Sequence, residues 1–500
     1  MIFNWPLLSI IIFLPLTGAF FLLCMSNSNK DLDINIFYRN IKFVTLWTSL
    51  ITLLASIIIL LNFDSSFSGY QFIEEFKWVK QLNIYYSIGV DGLSLPLILL
   101  TTFLFPICII FSWKSIKNKI REYMILFLLL ETLIIGIFSS LDLILFYIFV
   151  ESIFIPIFLI VGIWGGNKSL KALYKMIIFS FLTSFIFLFA IIYIYINFGT
   201  TNLSFLLNID IMPKIQIWLF LAFMASFAIK TSLWPFHLWV SEINAECPTA
   251  FSIILICIIL KISCYGLLRF SLPLFPNASL FFQDYILYIS LITILYSLIF
   301  CFFQTNFQKL ISYYSFSHFG LIIIGIFSLN KQGLDGAMFK MISDGLIFAG
   351  LFLSLGIINQ IFKSQEINFF GDLKNIIPKL GLIFNFFIIS SIGFPGTSGF
   401  VGDILIFLGS WKSNSTIMTI SLFSLIGGSF FMISLNRHIF YGASKNYGSE
   451  ILDISKKEIL TFFPLFFLII ILGFAPNLLL DLFDNNSNYL INIMENLNLI

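Results

Sequence analysis

Apolar windows long enough to cross a bilayer follow one another along almost the whole of this 500-residue chain. A hydrocarbon core takes about 20 apolar residues of helix to cross. Fourteen such windows can be marked, at 3–24, 41–62, 92–113, 123–140, 142–163, 172–196 and 215–240, then at 248–269, 281–303, 309–328, 334–360, 376–410, 415–436 and 459–476. In lipid each backbone N–H and C=O needs an internal partner, so windows of this kind fold as helices. The expected fold class is therefore an all-α polytopic membrane protein with about fourteen transmembrane helices. Composition closes off the soluble alternative: the chain is 59% hydrophobic and 10% charged, where soluble domains carry about 25% charged residues.

The same sequence excludes several function classes. A net charge of +2 supplies no basic field for nucleic acid. No GxGxxG follows a strand and no Walker loop occurs, so no nucleotide site is expected. Cys24, Cys108, Cys247, Cys257, Cys264 and Cys301 form no CxxC pair. They read as free thiols, mostly buried, rather than as disulfides or iron–sulfur ligands. The first residues lack a basic stretch and a small-residue cleavage site, so they are expected to form a retained first span, not a signal peptide.

Loop charge alternates. Eighteen of the 27 lysines and arginines fall in every second loop, and only Lys77, Lys80, Lys214, Arg269, Lys331 and Lys412 in the others. The positive-inside rule makes the first set cytoplasmic and puts both termini on the outer face. Lys230, Lys261 and Lys340 remain, all inside spans. Glu131, Glu151, His237, His318, Asp344 and Asp403 lie inside spans too, with Asp142 at a boundary.

Charges in hydrocarbon are expensive and mark pathways or buried pairs. A single such residue is readily a structural pair. Acids, bases and imidazoles spread over about eight spans are instead what a proton path requires, because burial and neighbouring charge bring proton affinities together. Two spans are also broken. Pro235 falls between Lys230 and His237, and Pro395, Gly396 and Gly399 precede Asp403. Proline removes a backbone donor. Two kinks are the plain reading, but paired breaks in two halves of a chain point to inverted repeats with an ion site between them.

Five segments carry a family resemblance: YSIGVDGLSLPLILLT (86–101), ESIFIPIFLIVGIWGG (151–166), the stretch AIKTSLWPFHLWVSEINAECPTAFSIILICIILKISCYGLLRFSLPLFPNAS (228–279), QKLISYYSFSHFGLIIIGI (308–326) and GFPGTSGFVGDILIFLGSW (393–411). The chain resembles the antiporter-like membrane subunits of respiratory complex I, over nearly its whole length. The resemblance implies fourteen helices, with helices 4–8 and 9–13 as inverted five-helix repeats and helices 7 and 12 broken. It divides the chain into 1–122, a three-helix segment; 123–269 and 270–436, the two repeats; and 437–500, the last helix and tail.

Matched by motif, Glu151 is similar to the family's helix-5 glutamate, which pairs with the helix-7 lysine, here Lys230. Lys261 matches the central helix-8 lysine and His318 the helix-10 histidine. Asp403 stands on broken helix 12, where sister subunits L and N and multisubunit Na+/H+ antiporter chains usually have lysine. An acid there, and a chain ending near residue 500 without a long lateral helix, point to the family's subunit M branch. The implied function is proton translocation along Glu151, Lys230, His237, Lys261, His318 and Asp403, with Glu131, Asp142, Lys340 and Asp344 as secondary candidates.

The resemblance further implies that this chain binds no cofactor, while NADH, FMN, iron–sulfur clusters and quinone belong to other subunits. Subunits L and N are the expected neighbours, in a bacterial inner membrane. Alternatives are a chain of a Na+/H+ antiporter and a non-pumping scaffold. One departure stands out: the family usually has histidine where this chain has Asp344. Lys340 lies four residues earlier on the same helix face. Asp344 is therefore expected either to pair with Lys340 or to relay protons itself.

Overall fold

The computed structural model describes residues 6–25, 34–445, 447 and 451–498. Helices α1 (Leu7–Cys24) and α2 (Ile34–Leu61) lead into a β-hairpin, β1 (Gln71–Val79) and β2 (Ile84–Val90). Then follow α3 (Ser94–Ser115), α4 (Ile120–Ser139), α5 (Leu143–Trp164), α6 (Ser169–Phe198), α7 (Pro213–Lys230), α8 (Leu238–Glu246) and α9 (Thr249–Leu274). The second half comprises α10 (Gln283–Phe302), α11 (Phe307–Phe327), α12 (Lys331–Phe362), α13 (Pro378–Ser391), α14 (Ser398–Ser413), α15 (Ser415–Phe440), α16 (Lys456–Phe474) and α17 (Asn477–Asn498).

Among the described residues, twelve helices are long and apolar enough to cross a membrane, or thirteen if a bent pair at the C-terminal end counts as one span. Two of the fourteen expected spans differ. The window 376–410 splits into α13 and α14, because Gly393 and Gly396 turn the chain at φ of +81° and +91° around Pro395. The last window holds α16, which bends by 65° into α17. Apolar and polar residues lie on opposite faces of α17, so it runs along the surface of the bundle.

Among the described residues, a single β-hairpin is added to the helical fold. Its strands pair antiparallel, with Phe76 opposite Tyr86 and Lys77 opposite Tyr85. Aromatic and β-branched residues suit such pairing, and Asn83, at φ +48°, makes the left-handed turn.

Helices α11 and α12 are buried along their whole spanning lengths and α9 almost so, while α2, α6 and α15 lie mostly on the outside of the bundle. The molecule is thus a ring of apolar helices around a central group. α12 packs most extensively on α14, and the reason is small residues. A side chain at Gly336 would run into the backbone of Ile406, and one at Gly402 into Lys340.

Loops meet in two separate sets, as the charge alternation requires. At one end Asn486 on α17 donates to Asp91 after the hairpin (2.5 Å), Asn485 donates to the Ser65 carbonyl (2.5 Å), and Asp484 pairs with Lys331. At the other end Lys114 pairs with Glu458 (2.6 Å) and Trp164 donates to the Asn118 carbonyl (2.8 Å).

Arg269, counted above as a loop cation, is buried instead. It lies near the end of α9, 2.5 Å from Asp91 and stacked 4.5 Å over the Tyr70 ring. A partner carboxylate and an aromatic face make its burial tolerable. Cys24 is exposed, and the other five cysteines are buried free thiols.

Candidate functional site

The two breaks place the site, and they are built alike. After α7, Leu233 N–H donates to the Ala228 carbonyl, Ser232 to Ile229 and Phe236 to Leu233. After α13, Phe394 donates to Ile389, Gly393 to Ser390 and Thr397 to Phe394. Ser232 takes φ +60° where Gly393 takes +81°. Backbone groups freed inside a membrane protein must be re-satisfied locally. Beyond these turns, the Trp234 N–H finds Thr293 Oγ1 on α10 (3.1 Å) and the Trp239 indole returns to the Ile229 carbonyl (3.1 Å).

Lys230 is the last residue of α7. Its Nζ lies 2.9 Å from Glu151 Oε1 on α5 and 5.6 Å from the centre of the Phe154 ring. The second Glu151 oxygen accepts from the Ser184 hydroxyl on α6. The motif-derived pair is therefore present, with each carboxylate oxygen committed to a different helix.

Among the described residues, His237 has no charged partner. It packs against Tyr296 (ring centres 4.6 Å apart), Tyr313 (6.1 Å) and Phe316 (6.2 Å), and neither ring nitrogen meets a protein hydrogen-bond partner. Lys261 is wholly buried in the middle of α9, between two π-turns at Leu255–Ile259 and Leu267–Ser271. Such turns recur at functional sites because they disturb the regular carbonyl ladder. The Lys261 Nζ donates to the Cys257 carbonyl (2.6 Å), and it would stand 3.0 Å from a Cβ at Gly345 on α12.

Four further groups meet where α11, α12 and α14 converge. His318 Nδ1 is 3.2 Å from both oxygens of Asp344. Lys340 Nζ lies 3.3 Å from Asp344 Oδ1 and 2.6 Å from Asp403 Oδ1. Lys340 is thus within ion-pair distance of both carboxylates. Tyr314 and Phe348 wall the imidazole in, with ring centres at 4.6 Å and 5.2 Å. The expected Lys340–Asp344 pair exists, but it is one link in a four-membered cluster whose shortest contact is to Asp403.

Glu131 and Asp142 stand apart. Glu131, on α4, accepts from Thr52 (2.6 Å); among the described residues it meets no cation and its other oxygen has no partner. Asp142 caps α5, accepting from the Ile144 and Leu145 amides (2.8 and 3.2 Å) and from Thr201 (2.8 Å). That is the work of a helix cap.

Some polar groups escape a sequence reading. Asn244 on α8 donates to Ser312 on α11 (2.5 Å), near the buried Gln308 amide, which has no protein partner. Asn and Gln at span ends are ordinary, so only the packing of α8 on α11 reveals the cluster. Among the described residues, no three His, Cys, Asp or Glu side chains are grouped to hold a metal.

Broken helices and buried acid–base groups at the core of a polytopic bundle define an ion-handling type of membrane protein. A family model described as NADH:quinone oxidoreductase/Mrp antiporter, TM, matches residues 140–429. The chain is 41% identical over 483 residues to "NADH-ubiquinone oxidoreductase chain 4" of Chondrus crispus, covering 96% of each. It is 38% identical to "NADH-quinone oxidoreductase subunit M" of Rhodobacter capsulatus, covering 97% of this chain and 96% of the relative. A chain of respiratory complex I from Thermus thermophilus shares the fold (TM-score 0.88, 23% identity, 97% of this chain and 99% of that one), as does a chain of the Mrp complex from Dietzia (TM-score 0.83, 18% identity, 98% and 99%). The chain belongs to this NADH:quinone oxidoreductase/Mrp antiporter family of membrane subunits. Its full-length relatives place it on the subunit M, or chain 4, branch.

Proposed function

We propose that this chain translocates protons as a membrane subunit of NADH-quinone oxidoreductase, along Glu151, Lys230, His237, Lys261, His318 and Asp403. One observation carries the reading: the Glu151–Lys230 ion pair at a broken helix end, 2.9 Å long, with Lys230 buried and Glu151 half-buried among apolar spans. An ion pair in low dielectric is strongly coupled. Drawing the Glu151 carboxylate away lowers the proton affinity of Lys230, and restoring it raises that affinity again. Lys230 then passes its proton past His237 to Lys261 in α9. From there it reaches the cluster of His318, Asp344, Lys340 and Asp403 and leaves by the outer face.

Moving one proton against 100 mV costs about 2.3 kcal/mol. NADH oxidation and quinone reduction supply that free energy in partner subunits, which hold the FMN, the iron–sulfur clusters and the quinone. Sister subunits L and N flank the chain. One break falls in each of the inverted repeats 123–269 and 270–436, which follow the segment 1–122 and precede 437–500. The chain lies in a bacterial inner membrane with both termini on the periplasmic face. The test is Glu151→Gln or Lys230→Met in the assembled complex in sealed vesicles. Protons moved per electron should fall in both, with electron transfer from NADH to an artificial acceptor unchanged. A wild-type ratio in both variants would sink the scheme.

A further inference from the structure

Asp403 is the acid at which the proposed path ends, yet His318 makes no direct contact with it. Among the described residues, Asp344 is the one acid that the imidazole contacts, through both oxygens at 3.2 Å. Lys261 interacts electrostatically with Asp344. Among the described residues, the one amine that reaches Asp403 is Lys340, at 2.6 Å, and the same amine stands 3.3 Å from Asp344. All four side chains are buried.

We propose that Lys340 is the proton carrier between Asp344 and Asp403, so that the exit acid is loaded by an amine shared between two carboxylates. This rests on the proton-translocating function proposed above. The transfers balance as proton movements alone. The Lys340 ammonium gives one proton to the Asp403 carboxylate, leaving a neutral amine and a carboxylic acid. The His318 imidazolium gives its Nδ1 proton to Asp344, and the amine takes that proton and becomes an ammonium again. Asp403 releases its own proton towards the outer face.

Geometry favours this over a static pair. A structural lysine would be committed to one carboxylate, whereas Lys340 Nζ stands within ion-pair distance of two, 2.6 Å from Asp403 and 3.3 Å from Asp344. Two carboxylates around one ammonium carry a net negative charge, which leaves the cluster room for one additional proton. Gly402 leaves the space for the aliphatic stem: a Cβ there would stand 3.1 Å from Lys340 Cα and Cβ and 3.2 Å from Cδ. The amine can therefore change partner by rotation about its own side-chain bonds, without moving α12 or α14.

The experiment compares Lys340→Arg, the double variant Lys340→Met with Asp344→Asn, and Lys230→Met, each in the assembled complex in sealed vesicles. Arginine keeps the charge and gives up no proton. The double variant removes both charges of one ion pair. Assembly is read from NADH oxidation by an artificial acceptor, and pumping from protons moved per electron. Expected is normal assembly in at least one of the two Lys340 variants, with a loss of pumping equal to that of Lys230→Met. Wild-type pumping in either Lys340 variant, with Lys230→Met impaired, overturns the carrier role and leaves Lys340 a counter-ion. Failure of both to assemble overturns it as well, assigning the lysine to structure. Wild-type pumping in Lys230→Met would instead remove the wider function on which the proposal rests.

Discussion

Two glycines decide where the ionisable groups of the site can stand. Gly393 lies in the second break at φ +81°, and a Cβ there would be 2.9 Å from Asp403 Oδ2. Alanine at 393 therefore meets two penalties at once, a left-handed backbone costing about 1–2 kcal/mol and a clash with a buried carboxylate. Gly393→Ala should shift Asp403 away from Lys340 and lower coupled quinone reduction more than assembly. The check is pumping per electron beside the amount of complex on a native gel; unchanged pumping would show that Asp403 tolerates displacement. Gly345 is tight in a similar way, since a Cβ there would meet Leu100 and the amine of Lys261. Which ionisable residues lie inside the bundle was largely legible in the sequence, because Glu151, Lys230, Lys261, His318 and Asp403 interrupt apolar spans within long motifs. Their connectivity was not. The 2.6 Å contact of Lys340 with Asp403 depends on α12 and α14 packing through Gly336 and Gly402, and no spacing along the chain encodes it.

At the scale of elements, hydropathy marks helices well but is blind to what happens at their ends. Lipid requires a closed backbone over about 20 residues, so apolar windows and helices coincide. The hairpin lies outside that constraint. Its pairing depends on Tyr85, Tyr86 and Phe76 facing across two strands, which a window average does not register. Arg269 shows the same blindness: at the end of a span it looks like a loop cation, yet it is buried against Asp91. That pair joins α9 to the start of α3, and Asn486 adds α17 to it. Breaking a buried ion pair by removing one partner costs about 3–5 kcal/mol. Arg269→Met is therefore expected to reduce the yield of assembled complex and lower its unfolding temperature. The double variant Arg269→Met with Asp91→Leu should recover much of that loss, because well-packed apolar residues replace buried pairs at little cost. Equal damage in the single and double variants would mean that the three elements are held by other contacts.

Over the whole molecule, the central group of α9, α11 and α12 and the outer ring of lipid-facing helices make a dry wall around a few charges. That contrast depends on the chain being threaded with alternate loops on opposite faces. The two sets of loop contacts support this threading: α17, the hairpin and the start of α12 meet at one end, while Lys114 meets Glu458 and Trp164 meets Asn118 at the other. The proposed orientation takes the second end, with its excess of lysine and arginine, as the cytoplasmic one. Ser65 and Lys117 are exposed at the two ends, and five of the six native cysteines are buried. In a Cys24→Ser background, a membrane-impermeant maleimide should modify Ser65→Cys in intact cells and Lys117→Cys only in inverted vesicles. Reversed labelling would invert the direction of the proposed path while leaving its residues in place. Labelling of both from one side would contradict the alternation itself, and with it the passage of the Glu151–Asp403 series from one face to the other.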